Sequence, residues 1–129
     1  MIAKIIQGTD FNGVINYMLN KPDDKAKVLA ATGVRIASAN DIAHDFNLQA
    51  SMRPNVQKAV CHTILSFSAN DAERLTDAMM VKSANEYFLQ MGYADTQSLI
   101  VRHSDCQHPH LHICINRIGN DGKTITDRN

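Results

Sequence analysis

The chain has 129 residues, and its thirteen basic and thirteen acidic side chains give a formal net charge of zero. This length is typical of one domain, residues 1–129, and no apolar run is long enough to span a membrane, which excludes membrane insertion. The neutral charge is weak evidence against a nucleic-acid-binding protein, because contacts to phosphates usually need a basic excess.

The N-terminal segment predicts a strand followed by an amphipathic helix. Residues 1–7 form the strand, Gly8 interrupts it, and Thr9 or Asp10 caps the helix. The helix has an apolar stripe at i, i+3, i+4, i+7 spacing: Phe11, Val14, Ile15, Met18 and Leu19. Tyr17 lies more than a right angle from the centre of that stripe. Its ring is therefore either a surface group or a group directed at a ligand, and its position alone leaves both interpretations open.

The middle of the chain predicts two more strands and two more helices. Residues 28–34 form a strand, and residues 38–51 form a helix whose inner face is Ile42, Ala43, Phe46 and Ala50. A strand over residues 58–68 follows. The longest helix begins at the capping-box pattern Asn70-x-x-Glu73 and ends at Gly92.

Four of the six histidines lie within residues 103–117, HSDCQHPHLHICINR. Apolar and polar residues alternate over residues 110–116, which predicts a strand with His110 and His112 on one face. An apolar run over residues 98–102 predicts another strand, and a hairpin between the two returns His103 to the same point. Three neutral imidazoles suit a catalytic divalent metal with an open coordination position. The alternative is a set of ordinary surface or core histidines.

The predicted elements follow the order β-α-β-α-β-α-β-β. A final antiparallel hairpin and a histidine face that must reach substrate predict an α+β fold, a two-layer sandwich with helices on one face of the sheet. This is the open-faced arrangement of the RRM or ferredoxin-like class.

The cysteines and the N-terminus indicate the compartment. The three cysteines contain no CxxC pair, which is typical of reduced thiols rather than of a disulfide framework or a structural zinc site. Because the first residues lack the layout of a secretory signal, we expect a cytoplasmic protein.

Residues 103–117 closely resemble the histidine-triad motif of conjugative and mobilization relaxases, which belong to the HUH endonucleases. Two further segments resemble the other motifs of that family in the same order. GVINYML at residues 13–19 resembles the first motif, and HTILSF at residues 62–67 resembles the second. Rolling-circle initiators of the same superfamily usually place the tyrosine after the histidine pair, whereas here no tyrosine follows His112. The order therefore fits relaxases.

The resemblance implies a central antiparallel sheet of about five strands and a role for each matched residue. Tyr17 is implied as the nucleophile. The metal ligands implied are His103, His110 and His112; the ion is Mg²⁺ or Mn²⁺ in function, and Mn²⁺, Ni²⁺, Co²⁺ or Zn²⁺ in a crystal. The expected DNA contacts are His62, Ser66, Arg102, Asn116 and Arg117.

Two of these expectations have alternatives in which the residues have no role in the site. Arg102 and Arg117, with Lys123 and Arg128, are expected to form a basic rim near the histidines; the alternative is a solvated loop. Asp105 is the only acidic residue between positions 95 and 121, so we expect it to orient a metal-ligating histidine in the catalytic site. The alternative is a turn aspartate that bonds its own backbone.

The function implied is site- and strand-specific nicking and rejoining of single-stranded DNA at an origin of transfer. The resemblance implies a 5′-phosphotyrosine intermediate, mobilization of a bacterial plasmid or transposon, and accessory mobilization and coupling proteins as partners. Two other classes stay open: a metal-dependent nuclease or phosphodiesterase that uses water, and a non-catalytic module that binds single-stranded nucleic acid. Relaxase domains usually continue past the third motif, so the interpretation that the chain is a fragment also stays open.

Overall fold

A computed structural model describes residues 1–20, 25–104 and 108–126. The elements, in chain order, are β1 (Ile2–Gly8), α1 (Phe11–Leu19), β2 (Ala26–Thr32), α2 (Ala39–Ala50), β3 (Val60–Ser66), a short 3-10 helix (Ala69–Asp71), α3 (Asp77–Met91), β4 (Ser98–His103) and β5 (His110–Asn116). In the part of the chain described, no helix is long and apolar enough to cross a membrane.

The five strands form one sheet in the order β1-β3-β5-β4-β2, and every neighbouring pair is antiparallel. The α+β class and the central antiparallel sheet are therefore confirmed. The histidine-bearing strand β5 lies in the middle of the sheet, between β3 and β4. A central strand has neighbours on both edges, so its side chains are held in register from both sides.

The helices lie on both faces of the sheet, which differs from the expected single helical layer. α1 and α2 pack on the face that carries Leu99, Val101 and Cys114. α3 packs on the opposite face, against Ile100 and Ile113. The continuous apolar run in β4 is the physical reason, because a strand that is apolar on both sides must be covered on both sides.

The predicted inner faces of the first two helices are confirmed. Phe11, Ile15 and Met18 of α1 are buried, and the ring of Phe11 stacks on that of Phe46 in α2 with centroids 4.9 Å apart. α2 begins after Ser38, whose hydroxyl accepts a hydrogen bond from the backbone N–H of Asp41. Together these contacts fix α1 on the face of the sheet that carries the histidines.

The predicted start of the longest helix is wrong. The Asn70-x-x-Glu73 pattern falls at the 3-10 helix, which Ser68 caps, and α3 starts after Thr76. The hydroxyl of Thr76 accepts from the backbone N–H of Met79 at 3.1 Å, and an aspartate follows in the first turn. A side-chain cap next to a carboxylate favours this start. Gly92 ends α3 in the left-handed conformation, as predicted.

A buried amide ties α2 to the end of β5. The side-chain N–H₂ of Asn116 donates to the carbonyl oxygen of Phe46 at 3.0 Å and to Oε1 of Gln97 at 2.9 Å. Its Oδ1 accepts from the backbone N–H of Ile118 at 3.0 Å. Because Asn116 is fully buried, these bonds have no competition from water.

Asn116→Ala is expected to lower the free energy of unfolding by about 3 kcal/mol, because three buried groups lose their partner. Urea unfolding followed by circular dichroism measures this difference. Asn120→Ala is the matched control, since Asn120 is exposed and its amide bonds Asp95 at the surface. Equal midpoints for the two variants would contradict the structural role of Asn116.

Candidate active site

The pairing of β4 with β5 places two of the predicted metal ligands next to each other on one face of the sheet. His103 lies opposite His110, and His112 follows on the same face of β5, opposite Val101. The rings of His103 and His112 stack, with centroids 3.9 Å apart, and the His110 ring lies 6.5 Å from that of His112. The predicted hairpin return of His103 is thus confirmed as strand pairing.

Tyr17 lies over this group of imidazoles. Its ring centroid is 5.8 Å from that of His112 and 5.9 Å from that of His62, and 54% of the residue is exposed. The predicted position off the apolar stripe of α1 is confirmed. The chain's other two tyrosines, both in its described part, are buried in the core on the opposite face of the sheet: Tyr87 and Tyr93. Of these three tyrosines, Tyr17 is therefore the one that lies beside the histidines.

His62 also belongs to this group of rings, through a hydrogen bond to His112 that the sequence does not predict. It lies on β3, and its Nε2 is 3.0 Å from Nδ1 of His112. Burial lowers the pKa of the His62 ring, and the charge of His103 lowers it further. A neutral ring can accept a hydrogen bond, so His62 can take one from His112. The ring of His62 is largely buried and bonded to His112, and its predicted DNA contact stays a prediction.

Hydrogen bonds restrict the ring nitrogens that two of the histidines can offer to a metal. Nε2 of His103 lies 2.7 Å from the carbonyl oxygen of Met18. A carbonyl only accepts, so this nitrogen carries the proton and the neutral ring keeps its lone pair on Nδ1. When Nδ1–H of His112 donates to His62, the lone pair of His112 is on Nε2. Each ring then has one basic nitrogen, as a metal ligand requires.

The three imidazoles fit a divalent metal by their chemistry, but they are not arranged around one point. Among the residues that the structure describes, no group of three or more His, Cys, Asp or Glu side chains is placed to hold a metal ion. The rings of His103 and His112 instead stack on each other, with an interplanar angle of 29°. The metal ligands therefore stay a prediction.

Two arginines of the predicted basic rim, Arg102 and Arg117, bond to groups elsewhere in the fold. The side chain of Arg102 lies on the opposite face of the sheet from His103. There it forms an ion pair with Asp77 at 2.7 Å, on the α3 face. Hydrogen bonds from Lys27, and then from Arg102, lower the pKa of the Asp77 carboxyl. Arg117 follows the far end of β5 and donates to the carbonyl oxygen of Lys58. Both arginines, like the buried Asn116, bond to groups within the fold, and the DNA contacts predicted for the three stay predictions.

Ser66 and Asp105 complete the predicted set. Ser66 lies on β3 directly opposite His110 and shares its face of the sheet, so it stays a candidate DNA contact. Asp105 and Arg128 lie outside the described residues, and the predictions about them are unchanged.

A groove of about 470 Å³, which no sequence pattern predicts, opens beside Tyr17. We call it the β1–α1 groove, because these two elements and the adjacent β3 form its walls. Its lining consists of Lys4, Ile6, Gly8, Thr9, Asp10, Gly13, Val14, Tyr17, Val60, His62 and Ile64. Since Tyr17 and His62 belong to this lining, the groove and the group of histidines form one continuous surface.

Comparison with known proteins agrees with this geometry. No curated protein shows significant similarity to the chain. A family model described as relaxase, MobA/VirD2-like, nuclease domain matches residues 17–129. The match begins at the tyrosine above the histidines and covers every strand from β2 to β5. The chain therefore belongs to the MobA/VirD2-like family of relaxase nuclease domains.

Proposed function

We propose that this domain nicks and rejoins single-stranded DNA through a covalent bond to Tyr17. Membership of the relaxase family supports DNA nicking in general. The observation that carries the finer proposal is the position of Tyr17, an exposed phenol whose ring lies within 6 Å of the His62 and His112 rings. A nucleophile beside a cluster of imidazoles is the arrangement that phosphoryl transfer to a side chain needs.

In the proposed reaction, the phenol oxygen of Tyr17 attacks the scissile phosphorus. The bond from phosphorus to the 3′ oxygen breaks, and that oxygen leaves as a 3′-hydroxyl once it takes up a proton. The phenol proton leaves during the attack, and the product is a 5′-phosphotyrosyl ester. Since one phosphoester replaces another, the reverse reaction rejoins the strand without an external energy source.

His103, His110 and His112 are the residues proposed to hold a divalent metal, in keeping with the general metal dependence of relaxases. When bound, such an ion neutralises charge on the non-bridging phosphate oxygens. Mg²⁺ or Mn²⁺ is the proposed ion. Asp105 is proposed to orient one of these histidines, and Ser66 to contact the DNA strand.

His62 is proposed to position His112. The metal-binding tautomer of His112 needs a proton on Nδ1, and the neutral His62 ring at 3.0 Å can accept it. This hydrogen bond also sets the orientation of the His112 ring under Tyr17.

His62→Ala is expected to weaken Mn²⁺ binding and slow adduct formation by about 10- to 100-fold, because the His112 ring loses its support. Isothermal titration calorimetry measures the metal affinity. His62→Gln is the matched variant, since its amide oxygen can still accept from His112, and it should recover part of the affinity. Unchanged Mn²⁺ affinity in His62→Ala would contradict the positioning role.

The wider role proposed for the domain is to start mobilization of a bacterial plasmid or transposon in the cytoplasm. The nick would lie at an origin of transfer, and accessory mobilization proteins and a coupling protein are the proposed partners. Family membership and the absence of a membrane-spanning helix among the described residues are consistent with this proposal.

The test is incubation of the protein with a pool of 3′-labelled single-stranded oligonucleotides and Mn²⁺, followed by denaturing electrophoresis. We expect a labelled band that migrates with the protein, and peptide mapping should place the adduct at Tyr17. Cleavage to a 5′-phosphate without an adduct would instead identify a water-using nuclease. Binding without cleavage would identify a non-catalytic binding module.

A further inference from the structure

We propose that the β1–α1 groove holds the unstacked base of a nucleotide next to the scissile phosphate, and that it favours a base with an exocyclic amino group. This inference rests on the proposed function of Tyr17, because the groove and the reactive phenol share one surface. Tyr17 and His62 both line the groove. A strand whose phosphate reaches Tyr17 therefore has a neighbouring nucleotide within reach of the groove.

The side walls of the groove suit the flat face of a base. Ile6 and Ile64 come from paired strands on the histidine face of the sheet, and Val14 comes from α1. Ile6 stays 42% exposed, although its apolar side chain would be more stable when covered. An unstacked base presents an apolar face of this kind to its binding site, and apolar contact with it is insensitive to sequence.

The polar groups of the groove indicate which edge of the base faces inward. Asp10 precedes α1 at its N-cap position, yet its side chain makes no capping hydrogen bond. A carboxylate is negatively charged and therefore repels phosphate. Because it only accepts hydrogen bonds, it attracts the N–H donors of an amino group. Cytosine, adenine and guanine have such a group, whereas the N–H of thymine lies between two carbonyl oxygens that a carboxylate repels. Lys4 lines the same groove and supplies a positive charge for the backbone phosphate.

Gly13 lines the groove beside Asp10 without adding a side chain to its α1 wall. A side chain at this position would extend toward Asp10 and narrow the groove. A Cβ atom at Gly13 would lie only 2.8 Å from Oδ2 of Asp10. Because Gly13 has no side chain, the Asp10 carboxylate can stay where it is and the α1 wall of the groove stays open.

The test measures binding of fluorescein-labelled (dC)₁₂, (dA)₁₂ and (dT)₁₂ to the full chain by fluorescence anisotropy at fixed salt. We expect (dC)₁₂ and (dA)₁₂ to bind about tenfold more tightly than (dT)₁₂. Asp10→Ala should remove most of that preference by weakening the first two complexes. The readout is the ratio of the two affinities that the wild type and Asp10→Ala have for the same oligonucleotide. This ratio cancels intrinsic differences in stiffness between the oligonucleotides.

A variant that fills the groove gives an independent test. Gly13→Leu should weaken binding of all three oligonucleotides by about tenfold, because the new side chain occupies the space of the base. Asn16→Leu is the matched control on the same helix, since Asn16 is exposed and does not line the groove. Its affinities should equal those of the wild type, and thermal unfolding checks that both variants fold.

Two results would overturn the inference. One is a preference for amino-bearing bases that Asp10→Ala leaves unchanged, or no such preference in the wild type. The other is equal affinities for Gly13→Leu and Asn16→Leu. If the wild type still forms the Tyr17 adduct, either result rejects the base site alone. Absence of both binding and adduct with every oligonucleotide rejects the proposed function as well.

Discussion

Tyr17→Phe is expected to reduce covalent adduct formation with single-stranded DNA by at least about a thousand-fold, to background. The substitution removes one oxygen atom, the proposed nucleophile, and keeps the aromatic ring in contact with His62 and His112. The fold and the affinity for oligonucleotides should therefore change little. Denaturing electrophoresis with a 3′-labelled oligonucleotide measures the adduct, and anisotropy measures binding.

Tyr87→Phe is the matched control for this experiment. Tyr87 is buried in the core on the α3 face, so losing its hydroxyl should leave adduct formation intact. An adduct that persists in Tyr17→Phe would show that the nucleophile is elsewhere, and the site proposed around the histidines would then be wrong.

His112→Ala is expected to have the second largest effect, a loss of at least about 100-fold in adduct formation together with a similar loss of Mn²⁺ affinity. The ring of His112 lies against those of His103, His62 and Tyr17, so it links three other members of the site. Removing it takes away a proposed ligand and the support for two neighbours. Calorimetry with Mn²⁺ and the gel assay measure the two losses separately.

His44→Ala is the control for the loss of a histidine as such, because His44 is exposed on α2 and outside this group of rings. Both the metal affinity and the adduct should equal those of the wild type. Mn²⁺ affinity that is unchanged in His112→Ala would reject the proposed ligand set while leaving the role of Tyr17 open.

The sequence predicts those parts of this fold that depend on the local spacing of apolar and polar residues. Alternation over residues 110–116 predicts β5, and the 3.6-residue stripe of α1 predicts which side of the helix carries Tyr17. The return of His103 to His110 also follows from local spacing, because the two strands are neighbours in the chain. These signals need no knowledge of the rest of the molecule.

The parts that it misses depend on pairing between distant segments. The bond from His62 to His112 exists because β3 pairs with β5 in one register, with His62 opposite Cys114. Nothing near residue 62 specifies that partner. Arg102 lies away from the histidines for a related reason, since it is one residue from His103 and therefore on the other face of the sheet.

The two helical layers do not follow from the histidine face of the sheet, which by itself predicts helices on the other face only. Leu99 and Ile100 are both fully or almost fully buried, on opposite faces of β4. That pattern requires a helix on each side, yet a short apolar run does not tell which helix covers which face. The start of α3 was misplaced because Asn70 and Thr76 are both acceptable caps by residue type.

The bond between His103 and the carbonyl oxygen of Met18 joins two parts of the chain that are 85 residues apart. Met18 directly follows Tyr17, so the same turn of α1 presents the phenol and holds the His103 ring. A displacement of that turn would move the Tyr17 oxygen and release the imidazole in a single event. Thermal opening of α1 should therefore abolish the proposed adduct formation completely at temperatures where the sheet is still intact, rather than weaken it by degrees.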